Sequence, residues 1–334
     1  MVCRDEHGNA LLLECRLWYS SFYSQARHGK VKIRLLLVIT LLALAVCVSA
    51  QEIPAGILFV GVRNETSDIY LWQPDGDSGV VTALTKTPQK EGNACWWPRK
   101  GLILASREFS ENHYGLVAIN DRLETIWQLE DPLGSLGWPV PSPWDDRILC
   151  VRGMSDGFVQ TGVVSFPDGG FEPFEFQGLA GGQLSWLSPD RVMLSRVTAE
   201  GFVLTHRDLV TGNEEAIVSG GQNWQSHANQ QSGRMFFVRR VGQISSIFEL
   251  FKDTQSRWQY ENLTNARTYD WQPATSPDGS TLIYRSLRDG RFATIIRDLA
   301  GGAEKQVDLG DFAQVFFPTI LERADVERLI AGSK

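Results

Sequence analysis

Short runs of apolar residues alternate with polar turns along most of the chain, and one such arrangement recurs at a nearly constant spacing. Its clearest copy, Asp270–Tyr284, has an apolar strand, a turn with the sequence Ser-Pro-Asp-Gly, and a second apolar strand. Proline presets the φ angle that begins such a turn, and Asp and Gly tolerate its tight second half. The pattern therefore predicts a β-hairpin in each copy.

Six copies are counted when each one is anchored on its turn residue. The intervals between successive anchors are 45, 46, 42, 46 and 41 residues. The anchors are Pro98, Pro143, Pro189, Gln231, Pro277 and Pro318. Each copy continues into a third apolar strand and a more polar fourth strand. A repeat of this length with four strands is typical of a β-propeller blade, because one small sheet must pack against its neighbours to bury both faces.

The two ends of the repeat region complement each other. Ile57–Val60 has the pattern of a second strand with no first strand before it, and Asp311–Pro318 has that of a first strand with no second strand after it. We expect these segments to pair and complete one blade. The predicted fold is all-β, a six-bladed β-propeller over residues 51–318 that is closed by pairing of its N- and C-terminal strands. Residues 319–334 are predicted to be a C-terminal tail with a short helix at Glu322–Ile330.

Residues 1–50 have the pattern of a leader. Lys32 and Arg34 precede an apolar run of 14 residues, Leu35–Val48, and small residues end at Ala50. This run is shorter than the about 20 residues that span a bilayer, so residues 31–50 predict a signal peptide cleaved after Ala50. A retained anchor is the alternative. The predicted location is periplasmic or secreted.

The segment before Val31 does not resemble the start of a signal peptide, because it is long and contains several aromatic residues. We expect translation to start at Val31, so that residues 1–30 precede the true start. Cys47 follows Val46, which is too bulky for the residue before a lipidated cysteine, and lipidation is therefore not expected.

The charge balance argues against two classes of partner. The whole sequence has a formal net charge of −7, and removal of the predicted leader leaves 26 basic and 36 acidic residues, a net charge of −10. A balance of this sign disfavours nucleic acid and anionic membrane surfaces as partners. It is also the balance of an ordinary soluble protein. No glycine motif of the phosphate-binding kind follows a strand and opens a helix, so no nucleotide or other cofactor is predicted.

Two cysteines, Cys95 and Cys150, remain after the predicted cleavage. Export permits a disulfide between them, but they fall in neighbouring sheets, and the sequence does not show whether the two side chains face each other. Two buried free thiols are the alternative and the default expectation.

The sequence from Asp270 to Tyr284, with Asp-x-x-Pro-x-x-Ser-Pro-Asp-Gly before an apolar strand, resembles the repeat of the TolB-type family of WD40-like (PD40) propellers of bacterial envelope proteins. The resemblance covers residues 57–318 and is weakest at His227–Gly233, which lacks both prolines. It implies the propeller fold and an extracytoplasmic location, and it does not carry over TolB's partner. TolB has an α/β domain before its propeller, which we expect to be absent here because Ile57 follows the predicted cleavage site so closely.

The sequence contains one motif that resembles a catalytic pattern, and its predicted context does not fit. Gly153–Gly157 matches the nucleophile-elbow motif, but strands are predicted on both sides of it, whereas the motif needs a helix after it. The three histidines outside the leader, His113, His206 and His227, fall in different copies. No catalytic residue and no metal site are therefore predicted.

A ligand site is predicted at the rim of the central channel, where the first residue of each inner strand is expected to lie. The predicted ligand-binding residues are Glu91, Trp224, His227, Asp270 and Asp311. The three carboxylates would meet a cation or a basic peptide there. Alternatively, they accept hydrogen bonds from the backbone of a neighbouring blade.

Two functions remain open from the sequence. The first is a non-catalytic protein- or peptide-binding module of the bacterial cell envelope. The second is an envelope carbohydrate-binding protein, or a propeller lyase or hydrolase, that uses the acidic rim together with exposed tryptophans.

Overall fold

The computed structural model describes residues 53–76, 78–155, 159–174, 180–199, 201–267 and 269–333. The predicted leader and residues 156 and 157 of the elbow-like motif lie outside the described residues. The described part from Ile53 onward belongs to one compact unit.

Twenty-four strands and one helix are present in the described residues. In chain order they are Gly56–Arg63 (β1), Thr66–Asp75 (β2), Ser78–Ala83 (β3), Glu91–Trp97 (β4), Leu102–Ser110 (β5), His113–Ile119 (β6), Thr125–Leu129 (β7), Ser135–Pro141 (β8), Arg147–Gly153 (β9), Val159–Ser165 (β10), Phe171–Pro173 (β11), Ala180–Ser188 (β12), Arg191–Thr198 (β13), Gly201–Asp208 (β14), Glu214–Val218 (β15), Gly221–Ala228 (β16), Met235–Val241 (β17), Ile244–Lys252 (β18), Trp258–Asn262 (β19), Asp270–Thr275 (β20), Thr281–Arg288 (β21), Arg291–Asp298 (β22), Glu304–Val307 (β23), Gln314–Leu321 (β24) and Arg323–Gly332 (α1).

The strands pair in sequence order within small antiparallel sheets. Four sheets have four strands each, in the orders β24-β1-β2-β3, β4-β5-β6-β7, β8-β9-β10-β11 and β20-β21-β22-β23. The other eight strands, β12–β19, form one sheet. It is continuous because β14 and β16 pair in parallel at two residue positions, Gly201 with Gly221 and Phe202 with Gln222. The described strands thus form five sheets, and two of the six predicted units are hydrogen-bonded to each other within one of them.

The hydrophobic core lies between sheets. Alternate residues of a strand point to opposite faces, so the apolar second and third strands present buried side chains to both neighbours. Six buried clusters are found among the described residues, and each joins residues of two successive groups of four strands. One cluster joins the ends of the chain, because Ile57 and Phe59 of β1 pack with Ile283 and Ile296 of the last sheet.

The terminal strands pair as predicted. β24 lies antiparallel to β1, with Leu58 opposite Thr319 and Val60 opposite Phe316. The strand runs from Gln314 to Leu321, so it begins after Asp311 and continues past Pro318.

The predicted short helix is also present as α1. Its buried residues Val326 and Leu329 pack in the cluster that contains Leu58 and Trp96, between the first two sheets. No helix in the described residues is long and apolar enough to cross a membrane.

A disulfide across the closing pair tests this pairing. Val62 and Gln314 are directly opposite in the β1–β24 register, and facing residues of antiparallel strands have Cα separations within the disulfide range. We expect the double variant Val62→Cys and Gln314→Cys to form an intramolecular bond, seen as a mobility shift on non-reducing gels. The bond should raise the free energy of unfolding by about 5 kcal/mol, because the loop it closes is very long. Each single variant is the control, and a double variant that stays reduced under oxidising conditions would contradict the pairing.

Candidate functional site

The first strand of each group of four and the closing strand share a local irregularity. These six strands, β4, β8, β12, β16, β20 and β24, are called the inner strands below. In each of them the pairing register with the neighbouring strand shifts near the middle, so that the inner strand has at least one extra residue there. Such a bulge bends the strand and turns the residues that follow it in a new direction.

Proline explains three of the bulges. Pro139, Pro273 and Pro318 occupy bulge positions of β8, β20 and β24. Since proline has no N–H to donate, it interrupts a ladder of hydrogen bonds within a sheet and is tolerated where the ladder is already broken.

The bulges also contain non-glycine residues with positive φ. The φ angles of Trp138, Gln225, Gln272 and Phe317 lie between 49° and 54°. This left-handed conformation disfavours side chains with a Cβ and persists only where the surroundings hold it. Two hydrogen bonds supply part of that support. The Gln225 side-chain oxygen accepts from the backbone N–H of Gln272 at 3.0 Å, and the Gln272 side-chain oxygen accepts from the backbone N–H of Phe317 at 3.1 Å.

Further side chains connect neighbouring inner strands. The indole N–H of Trp97 donates to the Ser142 carbonyl at 3.0 Å, and that of Trp186 donates to the Val140 carbonyl at 2.9 Å. The Ser185 hydroxyl donates to the Ser226 carbonyl at 2.8 Å. These tryptophans are buried, so their main role is packing between sheets, with the ring nitrogen satisfied by a backbone carbonyl in or just after β8.

A cavity of about 410 Å³ lies at the carboxyl-terminal ends of the inner strands. All six inner strands contribute to its wall, including Trp138, Val140, His227 and Thr319. Residues of the turns that follow these strands complete the lining. The exposed side chains of Arg99, Gln231 and Glu322 mark its mouth.

His227 is held in one protonation state by its contacts. Its Nε2 accepts a hydrogen bond from the backbone N–H of Thr275 at 3.1 Å and lies 3.0 Å from the Thr275 hydroxyl. A backbone N–H can only donate, so Nε2 has no proton and the imidazole is neutral. Burial lowers the pKa of His227 to about 4, because the cationic form loses its hydration there.

The adjacent Asn229 strengthens the same junction. Its side-chain N–H groups donate to the Thr275 hydroxyl and to the carbonyl of Ser276, both at 2.8 Å. Its amide oxygen accepts from the backbone N–H of Ser232 at 2.8 Å. The junction between β16 and β20 is therefore fixed by polar groups that also form part of the cavity wall.

Of the five predicted ligand-binding residues, His227 lines this cavity and the other four do not. Glu91 is buried and accepts from Arg107 Nε and Nη2 at 2.9 and 2.7 Å. Asp270 is buried and hydrogen-bonded to the side chains of Ser286 and Thr264. Burial raises the pKa of both carboxyl groups, although these partners oppose the rise.

Trp224 and Asp311 lie apart from these carboxylates. The Trp224 ring is half-buried and packs edge-on against Phe202 at 5.6 Å between centroids. Asp311 is exposed, precedes β24, and accepts from Arg63 Nε through its backbone carbonyl at 2.8 Å. Among the described residues, no three His, Cys, Asp or Glu side chains are grouped to hold a metal ion.

The prediction of Asp311 as a channel residue is wrong in register. It treats Pro318 as a turn proline equivalent to Pro277, whereas Pro318 lies in a bulge, as Pro273 does. The residue equivalent to Asp270 is therefore Val315 rather than Asp311. Trp224 is likewise displaced by one position, because Asn223 is the equivalent residue of β16.

The cavity wall beyond His227 was missed for a related reason. The prediction took the first residue of each inner strand, whereas the bulge directs the later residues into the cavity. A sequence signal for these cavity-lining residues exists at Trp138-Pro139 and Phe317-Pro318. Proline inside an inner strand indicates a bulge, and the residues after the bulge line the cavity.

Cys95 and Cys150, the cysteines of the described residues, are free. Cys150 is buried, and the Cys95 thiol donates to the Pro139 carbonyl at 3.1 Å in the cavity wall. The default expectation of two buried free thiols is confirmed for Cys150, whereas Cys95 is free but only half-buried. Burial raises the pKa of Cys95 to about 12, so its thiol is protonated at neutral pH.

No family model matches the chain, and no curated protein matches it in sequence. Solved structures do resemble it. TolB from Acinetobacter baumannii has a TM-score of 0.64 at 15% identity, over 79% of this chain and 66% of that chain. At such low identity the likeness shows the fold alone. This chain is a β-propeller.

Two further solved propellers belong to proteins of different kinds. A chain of the nidogen/laminin complex has a TM-score of 0.60 at 13% identity, over 80% of this chain and 99% of that chain. A puromycin hydrolase S511A mutant complexed with PGG has a TM-score of 0.52 at 14% identity, over 78% of this chain and 44% of that chain. The fold thus occurs in proteins of different kinds, and function must come from the site.

The neutral His227 predicts a pH dependence of stability. The unfolded chain binds a proton at this residue near pH 6.5, whereas the folded chain does so only near pH 4. The free energy of unfolding should therefore fall as the pH is lowered between these values. In His227→Gln, the side-chain oxygen still accepts from Thr275 N–H but the residue cannot be protonated.

Urea unfolding of both proteins from pH 6.5 to 4 measures the effect. Relative to the variant, the wild type should lose about 3 kcal/mol, because each pKa unit is worth about 1.4 kcal/mol. Taking the difference removes contributions from other groups. Parallel profiles for the two proteins would show that His227 is not held neutral.

Proposed function

We propose that the ring of this propeller has six blades. The eight-stranded sheet then consists of two blades, β12–β15 and β16–β19, joined by the short parallel pairing of β14 with β16. Six hydrophobic clusters between successive groups of four strands and six bulged inner strands support this count. The cluster between the two halves of the eight-stranded sheet packs Met193 and Leu204 against Phe237 and Leu250, as expected at a boundary between blades.

We further propose that the protein is a non-catalytic binding module that takes a protein or peptide segment in its central cavity. The observation behind this proposal is the cavity itself, which has the size of a ligand pocket and receives residues from every inner strand. Apolar side chains such as Trp138 and Val140 form its wall, and the exposed side chains of Gln230 and Gln231 lie at its mouth. This combination suits an extended segment that has apolar side chains and a backbone with groups to hydrogen-bond.

Two titratable groups of the cavity wall, His227 and Cys95, are poorly suited to catalysis. His227 Nε2 is engaged by a backbone N–H, so this nitrogen does not act as a general base without breaking the junction. The Cys95 thiol is protonated and is therefore a weak nucleophile.

The location and the acidic rim remain proposals. We propose export to the periplasm or the exterior, on the basis of the signal-peptide pattern of residues 31–50, and a TolB-type role at the cell envelope, on the basis of the repeat around Asp270. Ligand binding at Glu91, Trp224, Asp270 and Asp311 stays a prediction, and no contact of these residues favours the carbohydrate or lyase alternative.

Photo-cross-linking from inside the cavity tests the proposed function. With benzoylphenylalanine in place of Val140, we expect a covalent adduct with an envelope protein, and mass spectrometry should identify the bound segment. The same probe at Val210, which is 76% exposed and does not line the cavity, is the control and should not give this adduct.

A cavity-filling variant adds a second criterion. Val140→Trp places an indole in the cavity and should reduce binding of the identified segment, measured as a purified peptide, by more than tenfold. Its melting temperature shows whether the fold is retained. Adducts of equal yield from positions 140 and 210, or unchanged binding by a folded Val140→Trp protein, would contradict binding in the cavity.

A further inference from the structure

A second surface lies at the opposite end of the strands from the cavity. In an antiparallel blade, the turn between the second and third strands is at the same end as the start of the inner strand. Asp270, which begins β20, is opposite Ser286 near the end of β21. The turns β17–β18 and β21–β22 and the start of β20 therefore share this end, whereas the cavity is at the other.

The residues of these three segments define a surface region, here called the aromatic–arginine face. It contains Arg240, Val241, Ile244, Arg267, Tyr269, Trp271, Arg291 and Phe292, with Arg267 placed by its position just before β20 and Arg291 by its position at the start of β22. The Trp271 ring contacts the Phe292 ring at 4.6 Å and the Tyr269 ring at 6.1 Å between centroids. The Arg240 guanidinium lies 5.7 Å from the Tyr269 ring, so the contacts run continuously from β17 to β22.

Large apolar side chains on this face are exposed. The exposed fractions are 66% for Val241, 42% for Ile244 and 48% for Phe292. All three lie beside tight turns, and the backbone conformation of such turns does not require apolar side chains at these positions. A contiguous apolar patch of this kind, next to polar groups, is typical of an interaction site.

The charge of the face is opposite to that of the protein. Arg240, Arg267 and Arg291 form no ion pair with any carboxylate in the described part of the chain, and Arg267 and Arg291 are exposed. Asp289 is the exposed carboxylate in the same turns, and Arg288 already pairs with Glu304 at 2.7 Å. A cationic face on a chain with a net charge of −7 therefore selects for an acidic partner.

We propose that the aromatic–arginine face binds an acidic protein segment that also has aliphatic or aromatic side chains. Tryptophan, tyrosine and arginine are the residues that most often dominate binding energy at protein interfaces. The segment's carboxylates pair with the arginines, and its apolar side chains cover Val241, Ile244 and Phe292. This inference goes beyond the proposed function, because it gives the propeller a second partner at the end opposite the cavity.

A random peptide display library selected on the purified protein tests the proposal. We expect the enriched peptides to combine Asp or Glu with aliphatic or aromatic residues. Reversal of three charges, in Arg240→Glu, Arg267→Glu and Arg291→Glu together, should weaken binding of these peptides more than tenfold. The control reverses three exposed charges elsewhere, in Lys86→Glu, Arg122→Glu and Lys305→Glu, and should bind as the wild type does.

A second variant tests the apolar half of the face. Val241→Ser, Ile244→Ser and Phe292→Ser together should also weaken binding more than tenfold, whereas Val80→Ser, Ile126→Ser and Val210→Ser should not. Thermal unfolding verifies that each protein is folded. Val140→Trp should leave this binding unchanged, which separates the result from the test of the cavity.

Four outcomes would overturn the proposal. Enriched peptides without acidic residues would contradict the charge argument, and peptides that bind both face variants normally would place the site elsewhere. Binding of heparin or of phosphatidylserine vesicles that is lost in the arginine variant, with no acidic peptide selected, would assign the face to another class of anion. Loss of peptide binding in Val140→Trp would assign the peptides to the cavity.

Discussion

The pairing of β24 with β1 is the constraint on which the rest of the structure depends. Without it, β1 would present an unpaired edge, and the cluster that packs Ile57 and Phe59 against the last sheet would lack Val315 and Ile320. An open edge of apolar strand is a site of aggregation. Because the sheets pack in succession around a ring, loss of one boundary would also release the restraint on all the others.

Ring closure brings the inner strands together, and the bulges determine which of their residues line the central cavity. Residues before each bulge, such as Glu91 and Asp270, are buried within or between sheets, and residues after it line the cavity. The hydrogen bonds from Gln225 and Gln272 to the next inner strand stabilise the bulges and the boundaries between sheets at once. The candidate site and the stability of the ring thus have the same structural origin, and His227 belongs to both.

The fold could be read from the sequence because its signal is repeated. Each copy of the strand-turn-strand pattern is weak, but six copies at similar spacing, with complementary segments at Ile57 and Gln314, leave few alternatives. The site could not be read in the same way, because one residue of shift in a strand reverses its faces. A proline such as Pro318 is compatible with either a turn or a bulge, and Trp224 fits two registers of β16. Only the observed pairing with the neighbouring strand decides which register is correct in each case. The surroundings of Phe292 likewise include the Trp271 ring from another strand of the same sheet, a contact that a linear pattern does not contain.

Amide hydrogen exchange of the intact protein tests ring closure most directly. If β24 is an integral part of the first sheet, its hydrogen-bonded amides should exchange as slowly as those of β1 and β2, through global unfolding. Their protection should fall together when denaturant is added. Fast exchange along residues 314–321, with β1 and β2 still protected, would show that the terminal strand is not part of the sheet and would contradict the closed ring.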